Sequence, residues 1–180
     1  MTMKLRETGI EGLIIIESKV FSDARGYFFE SYNRQDYFDA GIRLTFVQDN
    51  QSRSEYGVIR GLHFQKAPHA QAKLIRVLDG AIYDVAVDLR KGSPTFGQWF
   101  GLEISSENNL QLLVPKGFAH GYSVLGDNTI VLYKCDAYYY PGSESGIRFD
   151  DPVLDIDWKI PGELIKVSAK DQNLPYLKDL

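Results

Sequence analysis

The 180-residue sequence holds one cysteine, Cys135, and only three histidines, His63, His69 and His120. A single cysteine excludes an intrachain disulfide and any multi-cysteine zinc site. No His-x-His pair occurs, so the usual ligand spacing of a metal-binding jelly roll is missing, and no metal is expected. An excess of basic residues is absent too. The formal charge is −4, which disfavours a general nucleic-acid binder. No run approaches the ~20 apolar residues of a membrane span. The opening residues, Met1 to Glu7, are too polar for the apolar core of a signal peptide. No repeat, low-complexity tract or linker divides the chain, and its length suits one domain. The expectation is a single domain over residues 1–180, soluble and cytoplasmic, with no nucleic-acid or membrane partner.

Aromatic residues are abundant: 11 Tyr, 10 Phe and 2 Trp. Aromatic and β-branched residues fit a pleated, half-buried surface, so this load favours strands. It would also suit a site that stacks planar rings. Short apolar runs separated by turn residues dominate the chain. Leu13 to Val20, Tyr27 to Tyr32, Phe46 to Asn50 and Val58 to Gln65 read as strands. Asn33 to Ala40 reads as a short helix, capped by Asn33 and stopped at Gly41, with Tyr37 and Phe38 turned inward. Lys73 to Leu89 reads as a hairpin about Asp79-Gly80. Alternation there sets Lys73, Ile75 and Val77 on one face, and Leu74, Arg76 and Leu78 on the other. Phe96 to Ile104, Asn109 to Val114, Ala119 to Leu125 and Thr129 to Ala137 add further strands. Turn signals every 8–12 residues or so point to a β-sandwich or barrel. The fold class expected is a mainly β jelly roll with short peripheral helices.

Two histidines stand beside glycines, in Gly61-Leu62-His63 and in Gly117-Phe118-Ala119-His120-Gly121. Glycine lets another group approach closely, and histidine exchanges protons near neutral pH. His69 lies in a loop and carries no such signal. Arg25, Arg60, Lys73 and Arg76 sit in or beside strands that otherwise read as core, where an unpaired cation is costly. Two partners suit them equally: internal carboxylates such as Glu30, Asp84 and Asp88, or an anionic ligand such as a phosphate. One tension arises in β periodicity. Ile59, Gly61 and His63 share one face, while Val58, Arg60 and Leu62 share the other. Either Gly61 marks a bulge or twist that lets Arg60 and His63 share one cavity, or the two face different sites.

The chain resembles the dTDP-4-dehydrorhamnose 3,5-epimerase family, nucleotide-sugar epimerases of the cupin superfamily. The matching stretches include Phe21-Ser-Asp-Ala-Arg-Gly-Tyr-Phe-Phe-Glu30, Phe46-Val-Gln-Asp-Asn-Gln-Ser52 and Gly57-Val-Ile-Arg-Gly-Leu-His-Phe-Gln65. They continue through Gln71-Ala-Lys-Leu-Ile-Arg-Val77, Asp84-Val-Ala-Val-Asp-Leu-Arg90 and Val114-Pro-Lys-Gly-Phe-Ala-His-Gly121. Tyr133, Glu144 and Lys170-Asp171 complete the series, which runs through nearly the whole chain. The resemblance implies a metal-free jelly roll that needs no cofactor and forms a homodimer by exchanging strands. It implies inversion of C3 and C5 of dTDP-4-dehydro-6-deoxy-D-glucose to give dTDP-4-dehydro-L-rhamnose. By resemblance His63 is the base, Asp171 its partner, Tyr133 the acid and Lys73 the stabiliser of the O4 oxyanion. Arg25, Arg60 and Lys170 are implied contacts of the diphosphate or nucleotide. Glu30, Gln48, Asp49 and Asn50 are implied nucleotide contacts. Tyr27 and Tyr138 are implied base stackers, Tyr27 standing where many relatives carry Phe, and His120 and Glu144 complete the pocket. The run Tyr138-Tyr139-Tyr140 leaves open which ring stacks. Two alternatives stand beside this: an epimerase acting at C3 only, and a non-catalytic cupin that binds a nucleotide sugar.

Overall fold

The computed structural model describes residues 3–180. Its first strands are β1 (Met3–Glu7), β2 (Ile14–Ser18), β3 (Phe21–Asp23) and β4 (Gly26–Phe28), followed by helix α1 (Arg34–Asp39). The central strands are β5 (Gln48–Ser54), β6 (Val58–Gln65), β7 (Lys73–Asp79), β8 (Ala81–Asp88) and β9 (Trp99–Ser105). Then come β10 (Leu110–Val114), β11 (Phe118–Val124), β12 (Thr129–Cys135), β13 (Glu144–Gly146), β14 (Lys166–Val167) and helix α2 (Ala169–Gln172). Two large sheets form the sandwich expected of a jelly roll. One has the order β1-β2-β10-β7-β12-β5, and the other β13-β6-β11-β8-β9 with β14 added along β6. All pairings are antiparallel except β14 with β6. Among the described residues, no helix is long and apolar enough to cross a membrane.

The central strands are covered on both faces, and the sequence shows why some of them lack alternation. In β2, Ile15 points between the sheets with Ile75, Val77, Leu112 and Val131. Its neighbour Ile16 points outward, under α1, against Tyr37, Leu74 and Leu113. An unbroken apolar run is what a strand buried on both faces requires. Burying a side chain such as Ile16 completely stabilises the fold by roughly 1.5–3 kcal/mol. The outer face of the second sheet carries Ile59, Leu62, Val85 and Val87 against Leu154 and Trp158 of the irregular C-terminal stretch. Two indoles pin that stretch: Trp99 Nε1 donates to Leu154 O at 2.8 Å, and Trp158 Nε1 to Phe149 O at 2.7 Å.

Three expectations need correction. The run Lys73 to Leu89 is not a hairpin. β7 lies between β10 and β12 in one sheet, and β8 between β11 and β9 in the other. Each strand is apolar on both faces and takes two neighbours, so the chain crosses between sheets at Gly80. Gly80 has φ +77°, and Thr129 packs into the space that a side chain there would fill. The strand expected over Tyr27 to Tyr32 ends at Phe28. Tyr32 leaves the ladder to pack edge-on against Tyr37 and Phe46, with ring centroids 5.0 and 5.4 Å away. In α1, Asn33 caps the amides of Gln35 and Asp36, and Tyr37 turns inward, as expected. Phe38 instead faces outward and is exposed, with Arg43 over its ring.

Candidate active site

The tension in β6 resolves at Gly61. His63 pairs with His120 of β11, and Arg60 pairs with Tyr122, so three steps along β6 match two along β11. That extra residue is a β-bulge, which re-aims the side chains after it. Gly61 has φ +124°, and a side chain there would strike the backbone of His120 and Gly121. Beyond the bulge Leu62 turns to the outer core. Arg60 and His63 consequently line one cleft of about 620 Å³.

Helix α2 closes one side of this cleft. Ser168 caps it by accepting from the Asp171 amide at 3.1 Å. The cap holds Asp171, only 4% exposed, against β6. Asp171 Oδ1 accepts from His63 Nε2 at 2.7 Å, and its Oδ2 takes the Gly61 amide at 3.4 Å. Burial raises the Asp171 pKa, but the bonds from His63 and Gly61 and the Ser168 cap outweigh it and hold the carboxyl below its ordinary value. An ionised partner on Nε2 leaves Nδ1 of His63 as the basic nitrogen. The His63 side chain is 30% exposed, so a ligand in the cleft can reach it.

The opposite wall comes from the other sheet. Tyr133 on β12 stands beside Asn50 of β5 and Ile75 of β7. Lys73 lies opposite Cys135, and its ammonium sits 5.9 Å from the centre of the Tyr133 ring. Burial, helped by Cys135 and Tyr122, pushes the Tyr133 phenol up to about 12. Burial pulls the Lys73 ammonium below its ordinary value, against the pull of Cys135, Asp84 and Glu144. Tyr133 and Lys73, from one sheet, thus face His63, from the other, across one cavity.

Other expected residues join them. His120 lines the cleft, and its Nε2 bonds Asp84 Oδ1 at 2.7 Å, both groups buried. Arg60 Nε donates to Ser54 Oγ at 3.1 Å. Lys170 lines the cleft and pairs with Glu144 at 2.7 Å. Glu144 belongs to a smaller adjoining crevice of about 190 Å³, with Gln48 and Tyr139. Asn50, His63, Lys73 and Tyr133 border both spaces.

Five expected contacts lie elsewhere. Asp49 points outward from β5 and pairs with Lys134 at 3.0 Å, because alternate residues of a strand face opposite sides. Tyr138 is 70% exposed and lines a separate depression with Val47, Pro68 and His69, while the Tyr139 hydroxyl donates to Glu144 at 2.8 Å. Arg25 and Tyr27 lie on the exposed β3–β4 hairpin, where Arg25 pairs with Asp23. Glu30 follows that hairpin and accepts from Asn33. Arg76 is not in the cleft either. It stacks over Phe29, 5.1 Å from the ring centre. Sequence reasoning missed Ser52 and Tyr122, whose hydroxyls meet at 2.8 Å, and also Lys166 and Ser168. Ser168 had a readable signal, since a serine three residues before an acid marks a helix start. Among the described residues, no three of His, Cys, Asp or Glu gather closely enough to hold a metal ion.

Comparison with known proteins gives concordant matches. The family model of dTDP-4-dehydrorhamnose 3,5-epimerase matches residues 7–179. The dTDP-4-dehydrorhamnose 3,5-epimerase of Salmonella typhimurium is 49% identical over 172 residues, covering 95% of this chain and 93% of that one. The Bacillus anthracis enzyme of the same name, solved with TDP and PPi bound, is 52% identical with TM-score 0.94, covering 97% and 99% of the two chains. The Legionella pneumophila dTDP-6-deoxy-D-glucose-3,5-epimerase, solved in complex with dTDP-4-keto-L-rhamnose, is 49% identical with TM-score 0.93, covering 98% and 93%.

Proposed function

Because the chain belongs to the dTDP-4-dehydrorhamnose 3,5-epimerase family, we infer that it inverts C3 and C5 of dTDP-4-dehydro-6-deoxy-D-glucose. The product is dTDP-4-dehydro-L-rhamnose. The 4-keto group acidifies the C–H bonds on both neighbouring carbons. His63 takes the proton from one ring face, and the electron pair moves onto O4 as an enolate. Lys73 stabilises that oxyanion, an effect commonly worth about 3–4 kcal/mol. Tyr133 returns a proton from the opposite face, and the centre is inverted. Asp171 holds the His63 tautomer and stabilises the imidazolium. The observation that carries this assignment is the placement of His63 and Tyr133 on walls contributed by different sheets.

Arg60 and Lys170 line the same cleft and hold the diphosphate, with His120 beside the sugar. Gln48, Asn50 and Glu144 face the crevice that continues from it, toward the exposed Tyr138 ring, which takes the base. The working unit is a homodimer. Arg25 is 90% exposed at the tip of a hairpin bearing exposed Phe21, Tyr27 and Phe28. Such a hairpin is suited to enter a neighbouring cleft, where Arg25, Tyr27 and Glu30 would meet the nucleotide. The protein works in the cytoplasm, where the buried thiol of Cys135 stays reduced.

Incubation with dTDP-4-dehydro-6-deoxyglucose in deuterated water, followed by NMR, tests the reaction. Deuterium is expected at both C3 and C5. Exchange at C3 alone would show a C3 epimerase, and exchange at neither carbon would remove the enzyme assignment. His63→Ala should abolish exchange and retain dTDP binding.

A further inference from the structure

The aromatic run Tyr138–Tyr140 belongs to no strand, yet glutamine side chains hold its backbone at every step. Gln71 Nε2 donates to Ala137 O at 2.7 Å, and Gln65 Nε2 donates to Tyr138 O at 3.3 Å. The Tyr139 amide donates to Gln48 Oε1 at 2.8 Å, and the Tyr140 amide to Gln65 Oε1 at 2.7 Å. Gln65 also donates to His69 O at 2.6 Å. The His69 ring in turn stacks on Tyr140, with centroids 4.1 Å apart. Gln65 is only 6% exposed. It lies two residues beyond His63 on β6, on the same face. One side chain therefore links the strand that carries the base to the loop that carries three exposed rings.

We propose that Gln65 is a positioning residue for the nucleotide end of the substrate, fixing the Tyr138–Tyr140 segment at a set distance from His63. The proposal rests on the assignment of that segment to the base. Leucine at position 65 would fill similar space. It would leave the Tyr140 amide and the Tyr138 and His69 carbonyls without their partner, and the segment would leave its register to find others. Base contacts are made equally in the ground and transition states. Their loss raises KM and leaves kcat in place.

The test compares wild type, Gln65→Leu, Gln71→Leu and the core variant Ile104→Val as a stability control. It uses steady-state epimerisation and calorimetric titration with dTDP. Gln65→Leu should raise KM roughly 10–100-fold, as expected for one buried polar network left unpaired, with kcat within about threefold. The dTDP affinity should fall in parallel. Gln71→Leu, which loses one bond to the segment, should show the same change in smaller degree and decides the matter if Gln65→Leu does not fold. An unchanged KM and dTDP affinity would overturn the proposal, as would an equal KM rise in Ile104→Val. Loss of kcat at constant KM would also overturn it, since His63 would then be what moved. An inactive wild type would remove the epimerase assignment instead, and the dTDP titration would still decide the role of Gln65.

Discussion

If Lys73 stabilises the O4 oxyanion as proposed, it must carry its charge in a place that disfavours it. Burial lowers its pKa, while the neighbouring Tyr133 phenol is pushed up to about 12. As pH rises, the lysine loses its proton before the tyrosine does. The rate kcat/KM should therefore fall on an alkaline limb with a midpoint below the ~10.4 of a free lysine. Lys73→Met should lower kcat by roughly 10²–10³-fold and erase that limb, as removal of an oxyanion stabiliser does. A pH–rate profile that is the same in both proteins would refute the assignment. Asp171 is the reverse case, with a folded pKa held below its unfolded value. Its stabilisation is complete above the unfolded value of ~3.9 and is lost as pH falls through the lower folded one. Asp171→Asn should flatten the acid side of a Tm-against-pH curve below about pH 4, which thermal melts from pH 7 to 2 would show. It should also cost activity at neutral pH, since asparagine cannot stabilise an imidazolium.

At the scale of the element, the bulge in β6 does most to assemble the site. Gly61→Ala would place a side chain at φ +124° and against the backbone of β11. The backbone conformation alone costs about 1–3 kcal/mol. A lower Tm together with lost exchange is expected, because Arg60 and His63 would return to opposite faces. Activity at wild-type level would show that the bulge is dispensable. The sequence offered this bulge as one of two ways out of strict alternation, the other being that Arg60 and His63 face different sites. The register of β6 against β11 decides for the bulge. The limits of β6, the Asn33 cap and both faces of β7 were legible because period and capping are local properties. The pairing of β7 was not. A Gly-containing turn between two apolar strands has the same sequence signature whether the chain folds back or crosses to another sheet. Asp171 illustrates a further limit. Its sequence distance from His63 gives no hint of contact, and only the family resemblance brought it to the site.

At the scale of the whole molecule, the cleft described by one chain lacks Arg25, Tyr27 and Glu30, which sit on the β3–β4 hairpin and just beyond it. If the hairpin serves a second copy, two inactive variants should complement each other. A mixture of Arg25→Ala and His63→Ala chains, unfolded and refolded together, would form hybrids with one intact site. Random pairing into two-fold dimers should restore about one quarter of wild-type activity. Either variant refolded alone should stay inactive, and a mixture no better than its parts would show that the hairpin serves its own chain. The strand order has a kinetic consequence. Outside β1–β2, β3–β4 and β8–β9, each ladder joins strands that are not consecutive along the chain. Asn50 meets Cys135, for example, 85 residues away. Loop-closure entropy must be met before such contacts contribute, so folding belongs on the millisecond-to-second scale rather than the microsecond one. During that interval the edge of β5, the last strand of its sheet, is open to any other strand, including the equivalent strand of another copy. Yield on refolding should fall with protein concentration, because slow strand pairing leaves that edge exposed to other chains.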